Sequence, residues 1–378
     1  MPVVAKGLEG IIAAETRIGD VRGQEGILLY CGYDINELAG KVSYEEVVHL
    51  LLHNRLPTAA ELDSLTTALR AERELPQGVI DYLKAAPKSA QPIDVMRTAV
   101  SMLGTYDTSR HDLIMGEALA TAIRLVAQIG IVAAYFHRAR QGLSLPPVRK
   151  DLGEAAHFLY LVTDEEPSVE ATQTLDVAYV LHAEHGFNAS TFTARVVAST
   201  LSDMYSAISA AIGALKGPLH GGANEGVIHM LQEIGSPDRV DDWVNEALAQ
   251  KKKIMGIGHR VYKVLDPRAP HLRAMAIKLT NGLGEPKWIQ MSERIAELMR
   301  KKKNLNANVD FYSATVYHSL GLPTDLFTPI FAIARMAGWT AHVLEQWNDN
   351  RLFRPLSEYT GRPYGQKVVP IAERAEAR

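Results

Sequence analysis

The apolar positions of this chain recur mostly at the three- and four-residue spacing that places them on one face of an α-helix. Prolines and glycines bound the periodic segments, as they do where helices begin and end. Ser43 is a candidate N-cap for the first segment, and Ser168 opens another that is expected to end at Gly186. The pattern predicts a mainly α-helical protein, with helices within residues 43–57, 59–76, 76–87, 168–186, 189–217, 224–235, 239–253, 285–303 and 325–349.

Two regions depart from this amphipathic pattern. The first forty residues are punctuated by glycine, and the short apolar and aromatic run GILLYCGYDI predicts one or two small β-hairpins before the helices. Residues 118–136 are apolar on nearly every face, but Arg124 and Gln128 interrupt them. A membrane span would need about 18 unbroken apolar residues, so this segment is interpreted as a buried helix and no membrane partner is expected.

The composition narrows the class of protein. Of the 378 residues, 47% are hydrophobic and 22% charged, as in a soluble globular protein with a well-buried core. The formal net charge of −3 argues against nucleic acid as the main partner, so an anion must be bound by a local basic cluster. Cys31 is the only cysteine, and the N-terminus lacks the apolar run of a signal peptide. A cytoplasmic location is therefore expected.

Two histidine-containing segments are candidates for a functional site. LHAEHGFNAST carries His182 and His185 near a predicted helix end, where a substrate-facing histidine and a helix-terminal histidine are equally good interpretations. A metal site has less support, since no third ligand completes the pair. GPLHGGANEG places His220 among glycines just before a helix expected to start near residue 223. A helix N-terminus favours neutral imidazole, which can donate a hydrogen bond to an enolate; the alternative is a turn histidine without function.

The segment KKKIMGIGHRVYKVLDPRAP combines glycines with basic side chains. Gly256 and Gly258 flank one residue and precede His259. Gly-x-Gly alone is weak evidence for a binding loop, and a lysine triplet is usually a solvated helix end. Together with Arg260, Lys263 and Arg268 downstream, the segment offers the donors that phosphates and carboxylates require.

An aspartate and two arginines complete the candidate set. Asp310 stands among aromatic neighbours at the start of a predicted helix, where it is either a desolvated base or an N-cap. Arg335 lies inside the apolar stretch FAIARMAGW, and burying it is costly unless an anion pairs with it. Arg354 follows in the C-terminal region. Bidentate binding of carboxylates accounts for such arginines.

Taken together, these motifs resemble the citrate synthase family, and the resemblance covers nearly the whole chain. Eight segments are similar to that family's and stand in its order: GLEGIIAAET, LLLHNRLP, LHAEHGFNAST, GPLHGGANE, GIGHRVYKVLDPRA, NVDFYSA, FAIARMAGWTAHVLEQW and RLFRPLSEYTG. The resemblance implies a multi-helical homodimer. It further implies a large domain, residues 1–219 and 327–378, and a small mobile domain, residues 220–326, that closes over the substrates.

The resemblance also implies roles for individual residues. The catalytic residues would be His220, His259 and Asp310, which condense acetyl-CoA with oxaloacetate to citrate. Oxaloacetate would be bound by His185, His259, Arg268, Arg335, Phe331 and Arg354, the last from the partner subunit. CoA would be a co-substrate, with no tightly bound cofactor and no metal, and its binding edge would include Ile254, Gly256, Ile257 and Gly258. Candidates for its phosphates are Lys252, Arg260 and Lys302.

Three other functions stay open at this point. A 2-methylcitrate synthase would use the same catalytic residues on propionyl-CoA, and one methylene changes binding by only about 1–3 kcal/mol. A non-catalytic acyl-CoA-binding protein could have the same fold, although it would not need the base Asp310. A metal-dependent lyase is a more distant alternative.

Overall fold

The computed structural model describes residues 4–108, 115–282 and 285–374, and it confirms a mainly α-helical protein. The helices before residue 220 are α1 (Ile35–Leu38), α2 (Tyr44–His53), α3 (Ala59–Ala71), α4 (Gln77–Ala85), α5 (Pro92–Tyr106), α6 (Met115–Arg140), α7 (Glu154–Thr163), α8 (Val169–His182), α9 (Ala189–Ala198) and α10 (Met204–Leu215). Those after it are α11 (Ala223–Ile234), α12 (Val240–Ala249), α13 (Ala269–Gly282), α14 (Lys287–Lys303), α15 (Val309–Ser319) and α16 (Phe327–Asn348).

A small antiparallel sheet near the N-terminus confirms the predicted hairpins. Its strands are β1 (Gly19–Arg22), β2 (Ile27–Tyr30) and β3 (Tyr33–Asp34), in the order β1-β2-β3. Along β2, Leu28 and Tyr30 are fully buried while their neighbours are partly exposed, which is the alternation expected of a strand with one face on the core.

Helix starts follow the capping signals in the sequence more closely than helix ends do. Ser43 forms a capping box with Glu46 at the start of α2, and Ser168 accepts a hydrogen bond from a backbone N–H at the start of α8. The predicted end of α8 at Gly186 is wrong, because the helix stops at His182. The hydroxyl of Tyr30 donates to the carbonyl of Val180 at 3.1 Å, so a carbonyl of the last turn is satisfied without further helix.

The core is built around two long helices, α6 and α16. Arg124 of α6 pairs with Glu72 at 2.7 Å, and Gln128 donates to the carbonyl of Glu74 at 2.9 Å, so both polar residues have partners. In the part of the chain that the structure describes, the segment Gly116–Arg140 is the one helix long and apolar enough to cross a membrane, and 72% of its most apolar window is buried in the protein. The interpretation as a buried helix fits this packing.

The buried ion pair of Arg73 with Glu154 is expected to be important for the stability of the fold. Arg73 contacts Glu154 at 2.6 Å, and the two side chains are only 1% and 9% exposed. We predict that Arg73→Ala lowers the free energy of unfolding by about 3–5 kcal/mol, because it leaves a buried carboxylate unpaired. The measurement is urea unfolding at one fixed protein concentration.

The exposed ion pair of Lys41 with Glu37 supplies a matched control, since both side chains are more than half exposed. Lys41→Ala should change the free energy of unfolding by about 1 kcal/mol or less. Equal losses in the two variants would contradict the prediction.

Candidate active site

The three candidate catalytic residues come from separate segments that share one electrostatic environment. His220 lies in the turn before α11, His259 in the loop between α12 and α13, and Asp310 in the first turn of α15. Burial is the largest cause of the pKa shift of each residue. The charge of Arg335 also acts on His220 and Asp310, and that of Arg268 on His259 and Asp310, so Asp310 shares one guanidinium with each histidine.

His259 is held as a neutral imidazole of defined tautomer. Its Nδ1 accepts hydrogen bonds from the backbone N–H groups of Val261 at 3.0 Å and Tyr262 at 3.1 Å. Burial, followed by the charge of Arg268, lowers its pKa to about 4. With Nδ1 acting as acceptor, the proton lies on Nε2, which is thus the donor available to a substrate.

His185 lies beside His259, as expected of two groups that bind one ligand. The ring centroids are 5.6 Å apart, and Nε2 of His185 lies 3.2 Å from the hydroxyl of Tyr262. Burial and then Arg268 lower the pKa of His185 well below its ordinary value. His185 is therefore neutral, and it is not the end of α8 but part of the segment that follows the helix.

His220 is neutral for a different reason from the one the sequence indicated. Its Nε2 accepts from the backbone N–H of Ser190 at 3.3 Å and lies 2.8 Å from the Ser190 hydroxyl, which accepts from the indole N–H of Trp339 at 3.1 Å. Burial is the largest cause that lowers the pKa of His220 to about 4, and the charge of Arg335 follows. The helix N-terminus was expected to be the cause. Because Nε2 accepts the backbone N–H of Ser190, the proton of neutral His220 lies on Nδ1, which is then a donor.

Asp310 has the properties of a desolvated base. Burial raises its pKa to about 7, against the opposing charge of Arg268. Its Oδ1 is buried and has no hydrogen-bond partner among the described residues. The N-cap of α15 is Asn308, whose side chain accepts from the backbone N–H of Asp310 at 3.0 Å. The alternative that Asp310 is itself the N-cap is therefore wrong.

Arg335 is a buried cation that forms no ion pair with any residue the structure describes. Its side chain is 1% exposed, and Nε donates to the carbonyl of His182 at 2.7 Å. Neither Nη1 nor Nη2 has a hydrogen-bond partner within the residues that the structure describes. The guanidinium lies 4.9 Å from the ring centroid of Phe331, which in turn packs edge-on against His220 at 6.3 Å. Burial lowers the pKa of Arg335 to about 10. A buried guanidinium without a partner is costly in free energy, and an anionic ligand would offset that cost.

Arg268 is also buried, but it is already paired within the chain. Its Nε and Nη2 donate to the two carboxylate oxygens of Asp266 at 2.9 and 2.8 Å. The carboxylate also accepts the backbone N–H of Val309 at 3.2 Å. Asp266 thus links Arg268 to the first turn of α15, where Asp310 lies.

Arg354 does not join the other site residues within this chain. It is exposed, and among the described residues its side chain donates one hydrogen bond, to the carbonyl of Pro355 at 3.3 Å. It belongs to residues 349–374, which follow α16 without a further α-helix.

The glycine loop is held by its own backbone and keeps one residue open. The N–H of Gly258 donates to the carbonyl of Asn306 at 2.7 Å, and the N–H of Asn308 donates to the carbonyl of Gly256 at 2.9 Å. Both glycines have positive φ, 72° and 82°, which explains why glycine stands there. Between them, Ile257 has neither its N–H nor its C=O bonded to any described residue. Ile254 and Ile257 are buried, so the loop is only partly open to a ligand.

The basic candidates for phosphate binding each have different neighbours. Lys252 contacts Glu233 at 3.1 Å and lies 5.0 Å from the ring centroid of Trp243 in α12. Lys302 is exposed at the C-terminal end of α14, and Arg260 is exposed beside Gly7.

Sequence reasoning missed several groups that hold the site together. Ser190, Tyr262 and Asp266 each bond a candidate residue. Asn308 carried a usable signal, because an asparagine ahead of a helical pattern is an N-cap candidate. Asp266 carried another, since a carboxylate two residues from an arginine is a ready ion-pair partner. Ser190 and Tyr262 had none, because their contacts join residues 30 and 77 positions apart in the chain.

The chemistry of the site is that of an enzyme. In the described ranges, no group of three or more His, Cys, Asp or Glu side chains is arranged to hold a metal ion. A carboxyl group whose pKa lies near neutrality, two neutral imidazole donors and a buried guanidinium together suit removal of a proton next to a carbonyl group in an anionic substrate.

Comparison with known proteins identifies the family. The profile named "Citrate synthase, C-terminal domain" matches residues 7–356. "Citrate synthase 2" of Bacillus subtilis is 49% identical over 371 residues, 98% of this chain and 99% of that protein. "2-methylcitrate synthase 2" of Corynebacterium glutamicum is 43% identical over 376 residues, 98% of each. A solved ternary complex of Thermoplasma acidophilum citrate synthase with carboxymethyl coenzyme A and oxaloacetate has a TM-score of 0.93 and 32% identity, covering 99% of this chain and 100% of that one.

The chain belongs to the citrate synthase family. It is therefore an enzyme of the acyltransferase class in which the acyl group becomes an alkyl group on transfer.

The raised pKa of Asp310 leads to a prediction about stability. The carboxyl prefers its proton in the folded state, so its contribution is full below the unfolded pKa of 3.8 and is lost as pH rises through about 7. We predict that Asp310→Asn gains stability relative to the wild type by about 2 kcal/mol between pH 5.5 and 8.5. The measurement is urea unfolding at both pH values.

The control for this prediction is Asp238, an exposed carboxyl whose pKa is shifted in the opposite direction. A hydrogen bond from the Ser236 side chain lowers the pKa of Asp238. Asp238→Asn should show no relative gain as pH rises. A difference between wild type and Asp310→Asn that is independent of pH would show that Asp310 is not a desolvated acid.

Proposed function

We propose that this chain condenses acetyl-CoA with oxaloacetate and water to give citrate and CoA. The observation that carries the proposal is the buried carboxylate of Asp310, which has a free oxygen and a pKa raised to about 7 beside two neutral imidazoles. The methyl protons of a thioester are very weakly acidic. A base alone is therefore insufficient, and preorganised donors must stabilise the enolate where water is excluded.

The three residues have separate roles in the proposed reaction. Asp310 takes a methyl proton from acetyl-CoA, and the C–H electron pair becomes the enol or enolate. Nδ1–H of His220 donates to the thioester oxygen, on which the negative charge develops. The enolate carbon attacks the keto carbon of oxaloacetate, whose oxygen receives a hydrogen bond from Nε2–H of His259. Water then attacks the citryl thioester, the C–S bond breaks, and CoA leaves as the thiol.

The two carboxylates of oxaloacetate account for the buried arginines. Arg335 offers both Nη atoms, Phe331 lies 4.9 Å from its guanidinium, and His185 lies beside the ring of His259. Arg268 is held by Asp266 and is proposed to contribute its remaining N–H donors. We propose that Arg354 reaches the site of the partner subunit in a homodimer, because in its own chain it has no contact with the site.

Acetyl-CoA is proposed to bind along the glycine loop as a co-substrate. The N–H and C=O of Ile257, between Gly256 and Gly258, have no partner among the described residues and suit hydrogen bonds to the adenine. The buried side chain of Ile254 would anchor the loop in the core. Lys252, Arg260 and Lys302 remain our candidates for the phosphates. Residues 220–326 would form the small domain and 1–219 with 327–378 the large one, and their closure would exclude water. A cytoplasmic location remains part of the proposal.

A second function, 2-methylcitrate synthesis from propionyl-CoA, has the support of relatives that carry that name, such as the 43% identical protein of Corynebacterium glutamicum. The catalytic residues would be unchanged. The ratio of kcat/KM for acetyl-CoA and propionyl-CoA separates the two functions, and we expect it to favour acetyl-CoA.

The proposed function is tested by release of free thiol from acetyl-CoA in the presence of oxaloacetate. We predict that Asp310→Asn lowers kcat by about 10³-fold or more, because the amide cannot accept the proton. The same assay against pH should give a wild-type kcat/KM that falls below pH of about 7, as the carboxylate of the free enzyme becomes protonated. Asp238→Asn serves again as control. Turnover by Asp310→Asn at the wild-type rate, or none by the wild type, would refute the proposal.

The proposed origin of Arg354 is tested by mixing two inactive variants. Arg354→Ala and Asp310→Asn homodimers, unfolded and refolded together, give hybrids in which one site has both an intact base and an intact partner arginine. Half of the dimers are hybrids with one of two sites restored, so about a quarter of wild-type activity is expected. If Arg354 acts in its own subunit, mixing restores nothing.

A further inference from the structure

One face of β1 contacts a segment that carries a histidine of the site. Gly19 and Val21 are two residues apart, so they lie on the same face of the strand. A Cβ placed on Gly19 would lie 2.6 Å from Oε1 of Glu184. Cγ2 of Val21 lies 3.3 Å from the position that a Cβ on Gly186 would take. Glu184 and Gly186 are the neighbours of His185 in the chain, so β1 packs directly against that segment.

The turn that follows β1 contacts the second histidine segment. Gly23 continues the alternation of Gly19 and Val21, and its carbonyl accepts the backbone N–H of Lys263 at 2.9 Å. A Cβ on Gly23 would overlap the carbonyl oxygen of Val261 and lie 2.8 Å from its carbonyl carbon. Backbone meets backbone here, and no side chain could move aside to admit an added methyl group. Gly23 is thus required for the close approach.

The segment that touches Gly23 is the one that orients His259. The N–H groups of Val261 and Tyr262 both bond to Nδ1 of His259, and the Tyr262 hydroxyl lies 3.2 Å from Nε2 of His185. A shift of this backbone would move the donors that fix the imidazole and would separate Tyr262 from His185. The position of Gly23 therefore limits where His259 can lie.

We propose that Gly23 is a positioning residue for His259, and that β1 with its turn holds the His185 and His259 segments at a fixed separation. Gly23 touches no substrate and acts through the backbone of residues 261–263. The inference rests on the role proposed for His259, which is to polarise the keto carbonyl of oxaloacetate. It assigns to the small N-terminal sheet a function in the active site.

The test is Gly23→Ala, with Gly116→Ala as the matched control, because a Cβ at Gly116 would meet no atom of the described residues within 4 Å. We expect kcat/KM for oxaloacetate to fall by about 10²-fold in Gly23→Ala, the loss that a displacement of about 1 Å in a catalytic group produces. The infrared keto-carbonyl band of bound, isotope-labelled oxaloacetate should move toward its frequency in water. Gly116→Ala should retain wild-type kinetics and the wild-type band.

The infrared band separates positioning from a structural role. If Gly23→Ala only lowers the fraction of folded protein, then the ligand-saturated variant shows the wild-type band and wild-type oxaloacetate KM, and the inference is overturned. If Gly23→Ala yields no soluble protein, Val21→Ala is measured in its place, because this substitution only removes atoms from β1 and introduces no clash. The same changes at smaller amplitude support the inference, and wild-type values overturn it. A wild-type enzyme that releases no CoA instead refutes the proposed function.

Discussion

Exclusion of water from one small volume determines the charge state of each candidate catalytic group. Burial is the largest cause of the pKa shifts of His220, His259 and Asp310, and it acts on Arg335 in the same way. Desolvation disfavours charge on acids and bases alike. The imidazoles therefore stay neutral at a pH where the carboxyl is near its pKa. Burial alone thus yields neutral imidazole donors that do not compete for the substrate's proton. It also makes the carboxylate of Asp310 basic enough to remove that proton.

Neutral imidazoles are useful only if the correct nitrogen carries the proton, and the backbone decides this. The N–H of Ser190 bonds to Nε2 of His220, whereas the N–H groups of Val261 and Tyr262 bond to Nδ1 of His259. The two histidines are consequently opposite tautomers. Backbone donors are fixed by the fold and need no reorganisation during the reaction, which is what electrostatic stabilisation of an enolate requires.

The sequence predicted much of this arrangement, and its failures have physical reasons. Helical periodicity and N-caps such as Ser43 are local, and both were confirmed. The end of α8 was wrong, because the hydroxyl of Tyr30, which satisfies its last carbonyls, comes from a strand 150 residues earlier in the chain. The same limit applies to the site. Asp310 was recognisable from its neighbours and from the family resemblance, but the contacts of Ser190 with His220 and of the Tyr262 hydroxyl with His185 exist only once distant segments have packed.

The two buried arginines show how the fold distributes charge in a protein of net charge −3. Arg268 shares Asp266 with the N–H of Val309, so a single carboxylate fixes both this arginine and the helix that presents Asp310. Arg335 has no such partner for its Nη atoms among the described residues, and its burial costs several kcal/mol in the absence of an anion. In the proposed function, a dianionic substrate would remove that cost on binding. Stability given up at Arg335 would then become affinity for the ligand, as expected where function and stability compete.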